Sequence, residues 1–463
     1  MGKTHNAHNS GGSPLSRRHF LQHAGLAAAI LATQRAAQAA GTKKAAPSER
    51  LTIVTVGAGG QAAANIHELD RLGLVDFAAF CDVDDDRAAE TYHRFPKANR
   101  YKDFRRMFDR EKHFDAVLVA TPDHMHAPAT LAAIQLGKHV YCEKPLTHTV
   151  EEARITATAA REKGVATQMG NQGMAFEGPR VLNEWIWSGV IGEVREVHAW
   201  SDRPSHHGKL FWAQGVDRPA DTPPVPPTLD WDLWLGPAPE RPYHPAYVPF
   251  AWRGWWDFGS GGLGDMGIHN LAPVFDALKL GAPTQVTASS TLFNQETLPL
   301  ASNVHYRFPA REGMAPVDLH WYDGGNLPPR PNELEDGEEL NSEDGLIFIG
   351  DQGTILVDGW GGELPRLLPK SRMDGFTPPA PTLPRSVGHH LEWIQACKGG
   401  QAAKSNFDFA GPLTEAVLLG TVAVRTRRTL HWDAEKLTVS NVPEANAYIR
   451  KAYRKGWELG KPG

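Results

Sequence analysis

The chain has 463 residues, 41% of them hydrophobic and 22% charged, which is enough for two domains with their own cores and excludes a chain disordered throughout. Lys and Arg number 48 against 53 Asp and Glu, and the resulting net charge of -5 removes any electrostatic ground for a nucleic-acid partner. The 3 cysteines, Cys81, Cys142 and Cys397, cannot build a disulfide framework and read as small buried apolar residues.

The first 39 residues read as an address and not as fold. "LSRRHFLQ", with the pair Arg17 and Arg18, precedes the short apolar stretch "AGLAAAILA" and the small-residue site "AQA" at Ala37 to Ala39. In that order they make a cleavable twin-arginine export signal over residues 1–39, followed by a linker over 40–50. The expected location is the periplasm, reached already folded, with the twin-arginine machinery as a partner. The apolar stretch falls short of the roughly 18 residues a membrane span needs, and no later segment supplies them uninterrupted.

From Leu51 the pattern changes. "LTIVTVGAGGQAAANIHELDRL" runs from a β-branched apolar strand through glycines into a helix. Gly57, Gly59 and Ala62 fill G-x-G-x-x-A, with Gly60 beside them: one glycine for the tight turn, one for close approach to a pyrophosphate, and an alanine for close helix–strand packing. A second buried run, "LVDFAAFCDVD", ends in Asp82, where an acid can accept both ribose hydroxyls and repel a 2′-phosphate. The expected cofactor is therefore NAD. "FDAVLVATPDHMHAPATLAAIQLG" and "HVYCEKPLTHTVEEARITATAAREKG" continue the strand–helix alternation, which implies a parallel sheet over residues 51–172 covered by helices on both faces. Ligands lie beyond the carboxyl ends of such strands, so Thr121, Pro122, His126, Glu143 and Lys144 are expected to line the nicotinamide crevice.

Residues 173–463 read differently. "QVTASSTLF", "SNVHYRF" and "VDLHWYD" alternate like half-exposed strands, and "GLIFIGDQGTILVDG" reads as a hairpin, so an antiparallel sheet with one face on helices is expected. Before it lies a proline-stiffened insertion ending "FAWRGWWDF", carrying Trp231, Trp234, Trp252, Trp255 and Trp256. Aromatic rings at a polar rim suit the apolar face of a sugar, and Arg253, Trp256 and Asp257 are the candidate substrate contacts. Then comes "GDMGIH", which sets Asp265 and His269 four residues apart, on one face of a helix. The adjacent pairs His206–His207 and His389–His390 lack that spacing and are poor metal ligands; no metal is expected.

Taken together and in order, "GAGGQAAA", "CDVD", "TPDHMH", "CEKPLTHTVEEA" and "GDMGIH" resemble the glucose-fructose oxidoreductase, inositol dehydrogenase and rhizopine-catabolism family, Gfo/Idh/MocA. The resemblance implies an α/β fold: a Rossmann domain followed by an α/β domain on an open, mostly antiparallel sheet, often a dimer or tetramer through that sheet. It also implies a bound nicotinamide cofactor, a catalytic lysine at Lys144 and a catalytic Asp-x-x-x-His pair at Asp265 and His269. The export signal and the long insertion depart from the simplest members and leave the substrate open.

The expected chemistry is oxidation of a secondary alcohol on a sugar, glycoside or cyclitol, with a tightly held NAD. Hydride leaves the carbinol carbon only as the hydroxyl proton is taken, which assigns His269 as general base, Lys144 as the cation at the oxygen and Asp265 as the acid orienting both. Three readings compete with it. An NAD-dependent glycosidase would use the same groups with no net oxidation, a non-catalytic sensor would not need them, and zinc could bind Asp265 and His269.

Overall fold

The computed structural model describes residues 49–459, so the expected export signal over 1–39 and nearly all of the expected linker over 40–50 lie outside the described residues. β1 (Leu51–Val56) is buried along almost its whole length, as a strand covered on both faces must be. With β2 (Val75–Cys81), β3 (Asn99–Tyr101), β4 (Ala116–Val119), β5 (His139–Cys142) and β6 (Thr167–Met169) it forms a sheet of order β3-β2-β1-β4-β5-β6. Every pairing in it is parallel. The order reverses between β1 and β4, and a crevice opens at such a switch point.

The second sheet is built from β7 (Val194–Ser201) and strands far downstream. A small hairpin, β8 (Ser205–His206) with β9 (Lys209–Leu210), follows β7 and turns through His207 and Gly208, both at positive φ. Then come β10 (Gln285–Ser290), β11 (Ser302–Phe308), β12 (Val317–Tyr322), β13 (Asp344–Gly350), β14 (Gly353–Val357), β15 (Pro365–Leu368), β16 (Leu430–Asp433) and β17 (Thr438–Val439). The nine strands lie in the order β15-β14-β13-β7-β12-β11-β10-β16-β17. Only β7 and β12 run parallel; the other pairings are antiparallel. The expected pair of domains, Rossmann and open mostly antiparallel sheet, is what the chain forms.

Alternation sets the faces of this second sheet. In β12, Val317, Leu319 and Trp321 are buried while Asp318, His320 and Tyr322 are partly exposed. The buried side packs against the helices Ile268–Ala277 and Phe407–Thr426 in one continuous core. By length and composition Phe407–Thr426 could cross a membrane, but most of it is buried inside the protein, where it is a core helix. It packs on the helix Val150–Lys163, whose start carries the reciprocal Thr149–Glu152 cap and whose end is a left-handed Gly164.

Chain from beyond residue 172 also completes the first sheet's core. Trp393 and Ile394 of the helix His389–Cys397 cluster with Leu51, Ile53 and Tyr141. Near the C-terminus, the Glu151 amide donates to the Ile449 carbonyl at 3.0 Å, Lys451 pairs with Glu152 at 2.8 Å, and Arg105 lies 4.1 Å over the Trp457 ring. Cys81 and Cys142 are buried free thiols, as expected; Cys397 is also free but only partly buried.

Candidate active site

The glycine turn after β1 is shaped by contacts no side chain would tolerate. Gly57 sits at φ 101°, and a Cβ there would collide with the Ala120 carbonyl oxygen; one on Gly59 would collide with Arg87. Ala62 is fully buried where helix Gln61–Arg71 crosses the sheet. That helix starts at Gly60 with no side-chain cap and no acid in its first turn, leaving its positive end to an anion. Asp82 ties the turn to the end of β2: one oxygen accepts from the amides of Ala58 (2.8 Å) and Gly59 (3.2 Å), the other from Asp84 (3.1 Å). Burial raises its pKa, opposed by those three amides.

These residues border a cavity of about 300 Å³ that runs past Gly57, Gly59, Gly60 and Asp82 to Thr121, Pro122, Glu143 and Lys144, with Trp234, Trp252, Arg253 and Trp457 opposite. Its lining suits a dinucleotide: a phosphate cradle at the glycines, a carboxylate at a ribose position, and a lysine where the reactive ring would lie. Glu143 is fully buried, accepts from Asn65 (2.8 Å) and Gln172 (3.3 Å), and has its pKa raised by burial.

His126 does not line the crevice. It lies beneath, 1% exposed, with one ring nitrogen 2.7 Å from the Pro145 carbonyl and the other 2.8 Å from that of Thr121. Its work is to brace the turns that carry Lys144 and Thr121. Sequence position alone could not show this, because the helix begins at His126 and its buried ring meets the carbonyls of Pro145 and Thr121.

Lys144, Asp265 and Arg253 come together. The Lys144 ammonium donates to Asp265 Oδ1 at 2.7 Å and to the Asp265 carbonyl at 3.1 Å; Arg253 Nε donates to the same Oδ1 at 3.2 Å. Burial would raise the Asp265 pKa, but the two cations win and hold it well below the usual carboxylate range. The motif is not plain α-helix: Leu263–Gly267 forms a π-helical turn that leads into Ile268–Ala277. His269 is the second residue of that helix and partly buried, and desolvation together with the Lys144 charge pushes its pKa down to about 3, so its ring is a neutral base. Among the described residues its Nδ1 has no hydrogen-bond partner. Among the described residues Asp265 makes no hydrogen bond to His269, so it orients the lysine and not, as expected, both groups.

Two of the predicted substrate contacts are spent on structure. Trp256 is 7% exposed, donates its N–H to the Asn294 carbonyl (3.3 Å) and carries the Arg425 guanidinium 4.8 Å over its ring. Asp257 pairs with Arg241, a cation whose side chain is 3% exposed and which needs that carboxylate and Glu296 for neutrality. Neither borders the cavity. Most of the insertion's tryptophans anchor the loop in a cluster with Tyr247 and Phe258.

Several residues were missed. Trp360, on the glycine-rich loop between β14 and β15, meets the His269 ring at 5.2 Å and 85°. Asp123 is a buried acid that accepts from Ser260 Oγ at 2.6 Å; burial pushes it up to about 7 against the pull of Arg253 and Lys144. The histidine pair also gains a partner: ligand atoms of His206, His207 and Glu343 lie within 4.8 Å of one another. Arg203 Nη1, however, already donates to His206 Nδ1 at 3.1 Å and pairs with Asp202, so a cation stands at that nitrogen of His206.

A Rossmann crevice joined to an open antiparallel sheet, with a lysine, an acid and an imidazole at the join, defines a nicotinamide-dependent oxidoreductase class. Residues 51–171 match the oxidoreductase family with an NAD-binding Rossmann fold, and residues 180–309 match that family's C-terminal alpha/beta domain. The chain belongs to the Gfo/Idh/MocA oxidoreductase family, and its first domain is that family's NAD-binding Rossmann domain. Among its relatives, levoglucosan dehydrogenase of Pseudarthrobacter phenanthrenivorans is 31% identical over 130 residues, 27% of this chain and 33% of that protein. An alpha-N-acetylgalactosaminidase of Shewanella oneidensis is 30% identical over 230 residues, 43% of this chain and 50% of that one. The chain thus spans one third to one half of the length of these relatives. In fold it is similar to the WlbA dehydrogenase of Bordetella pertussis, solved with NADH and UDP-GlcNAcA: TM-score 0.57, 17% identity, covering 83% of this chain and 99% of that one.

Proposed function

We propose that the protein oxidises a secondary alcohol of a sugar, glycoside or cyclitol, with its NAD held through turnover. The carrying observation is the ion pair between Lys144, which lines the nicotinamide crevice, and Asp265, with a neutral His269 close enough to feel the lysine's charge. The glycine cradle, the uncapped helix start at Gly60 and Asp82 fit NAD. When bound, NAD supplies the hydride acceptor. His269 takes the hydroxyl proton as the carbonyl forms, Lys144 stabilises the oxygen's developing charge, and Asp265 with Arg253 keeps the ammonium in place. The levoglucosan dehydrogenase relative supports a carbohydrate substrate. The test is to release and identify the nucleotide from denatured protein, then follow NADH formation with a panel of glycosides and free sugars. Readily dialysed nucleotide, or no NADH with any carbohydrate, would remove this reading.

One observation favours a second reading. The Shewanella oneidensis relative is an alpha-N-acetylgalactosaminidase, and in a glycosidase of this type the same lysine, acid and imidazole would serve a cycle with no net oxidation. Release of p-nitrophenol from a p-nitrophenyl glycoside with no change in NADH absorbance would select it.

The Arg17–Arg18 pair supports a periplasmic location, where free NAD is scarce and a retained cofactor is an advantage. Replacing both arginines by lysine should leave the protein in the cytoplasm on fractionation. Assembly into a dimer or tetramer is likewise proposed, to be read by light scattering.

A further inference from the structure

The adjacent histidines of the helix His389–Cys397 are poor metal ligands by spacing, and each has another task. His389 Nε2 lies 3.0 Å from the Met169 carbonyl and its Nδ1 3.1 Å from the Gln168 amide nitrogen, which fastens the helix to β6. His390 reaches a different target. Its Nε2 lies 3.0 Å from Asn65 Oδ1, and Asn65 Nδ2 donates to Glu143 Oε1 at 2.8 Å. An amide oxygen only accepts, so His390 Nε2 carries the proton of that bond. Desolvation pushes the His390 pKa down to about 4, so the donor is a neutral ring. Tyr141 stacks against it, ring centres 5.4 Å apart and planes 8° from parallel. One line of hydrogen bonds thereby joins the helix His389–Cys397, the helix Gln61–Arg71 and the residue after β5 that borders the nicotinamide crevice.

Glu143 ends that line with space and donors suited to a carboxylate. A Cβ on Gly170 would fall 2.5 Å from the carboxyl carbon, so the glycine keeps that space clear. Gln172 Nε2 donates to the same Oε1 at 3.3 Å, and the Lys144 amide donates to Oε2 at 3.3 Å. Among the described residues every hydrogen bond to this group comes from an N–H, whereas a protonated acid would need an acceptor for its O–H. Burial raises its pKa, and the Asn65 donor and the Lys144 charge oppose that rise. At the same corner two cations, Lys144 and Arg253, share the carboxylate of Asp265. A nicotinamide ring is positively charged when oxidised and neutral when reduced, so charge on the crevice wall bears on which form is held.

We propose that Glu143, kept ionised and in place by His390 through Asn65, biases the crevice toward the oxidised, cationic nicotinamide, with His390 and Asn65 as positioning residues for that charge. This rests on the nicotinamide reading of the crevice and is independent of which alcohol is oxidised. A cofactor held through turnover must be reoxidised where it sits. A carboxylate on the wall makes its reduced form give up hydride more readily.

The experiment is equilibrium dialysis of wild type, Glu143→Gln, His390→Phe and His390→Gln against equal concentrations of NAD+ and NADH, with each bound form then quantified by chromatography. Glu143→Gln removes the charge with little change of shape and should raise the ratio of bound NADH to bound NAD+ about tenfold or more. His390→Phe keeps a ring on Tyr141 but removes the donor, and should raise the ratio about threefold in the same direction. His390→Gln can still donate to Asn65 and should bring the ratio back toward wild type. Parallel weakening of both forms with an unchanged ratio overturns the proposal, because these residues would then only shape the site. So does a changed ratio in Glu143→Gln alone, or no recovery in His390→Gln, because the charge would then need no donor from His390. If Glu143→Gln does not fold, the two His390 variants decide by the same ratios. Binding of neither form by wild type would remove the nicotinamide reading along with this inference, whereas an unchanged ratio removes the inference alone.

Discussion

Asp265 accepts hydrogen bonds from two cations, Lys144 at 2.7 Å and Arg253 at 3.2 Å, in a site where desolvation and the Lys144 charge hold the pKa of His269 low. Removing the base or the cation should each lower kcat/KM by about 10² to 10⁴, the usual worth of a positioned proton acceptor or charge. Steady-state kinetics of His269→Ala and Lys144→Ala on a proven substrate checks this, and losses within about tenfold for both would move the chemistry elsewhere. Behind the site, Asp123 offers a titration experiment, because burial pushes its pKa up to about 7 from 3.8. A carboxyl raised in the folded state stabilises fully below its unfolded value, and that contribution is lost as pH rises to about 7. Asp123→Asn can still accept from Ser260 through its amide oxygen but cannot ionise. Its melting temperature relative to wild type should therefore climb between about pH 4 and pH 7 and then level off. Lys144 and the Asp265–His269 pair were legible in the sequence because their spacing and neighbours are local. Trp360 was not, since it is a lone tryptophan among glycines some 90 residues further along the chain. The same limit misassigned Trp256 and Asp257: composition marks an aromatic, charged loop but not which side faces the cavity.

At the scale of elements, the crevice depends on how closely the glycine turn approaches β4. Gly57→Ala would force a Cβ onto the Ala120 carbonyl at φ 101°, and should cost about 1–3 kcal/mol in denaturant unfolding as well as weaken NAD binding by calorimetry. The helix Val150–Lys163 offers a control distant from chemistry. Thr149→Ala removes the side-chain half of its reciprocal cap, leaves the backbone amide that donates to Glu152, and should cost about 1 kcal/mol with kcat unchanged. The parallel sheet was legible because strand and helix alternate along the chain, β4 is apolar throughout and β1 is β-branched and largely apolar. The nine-stranded sheet was legible as antiparallel from its alternation. Its order was not, because β7 pairs with β12 and β13 across more than 100 residues of chain and no local signal specifies such partners.

On the scale of the whole molecule, the two sheets share material. Trp393 and Ile394 fill the first core from a helix that follows the second sheet's hairpins, and the last stretch of chain crosses back through Ile449 and Lys451. Residues 49–459 should therefore melt in one transition, with near-ultraviolet and far-ultraviolet dichroism coinciding and NAD raising the midpoint. Two separated transitions would show that the sheets are independent. One consequence concerns timing. Trp457 forms part of the wall around the nucleotide crevice, so during synthesis that wall cannot close until the chain has emerged at least as far as this residue, and a nucleotide can be fully enclosed only after both sheets have been made.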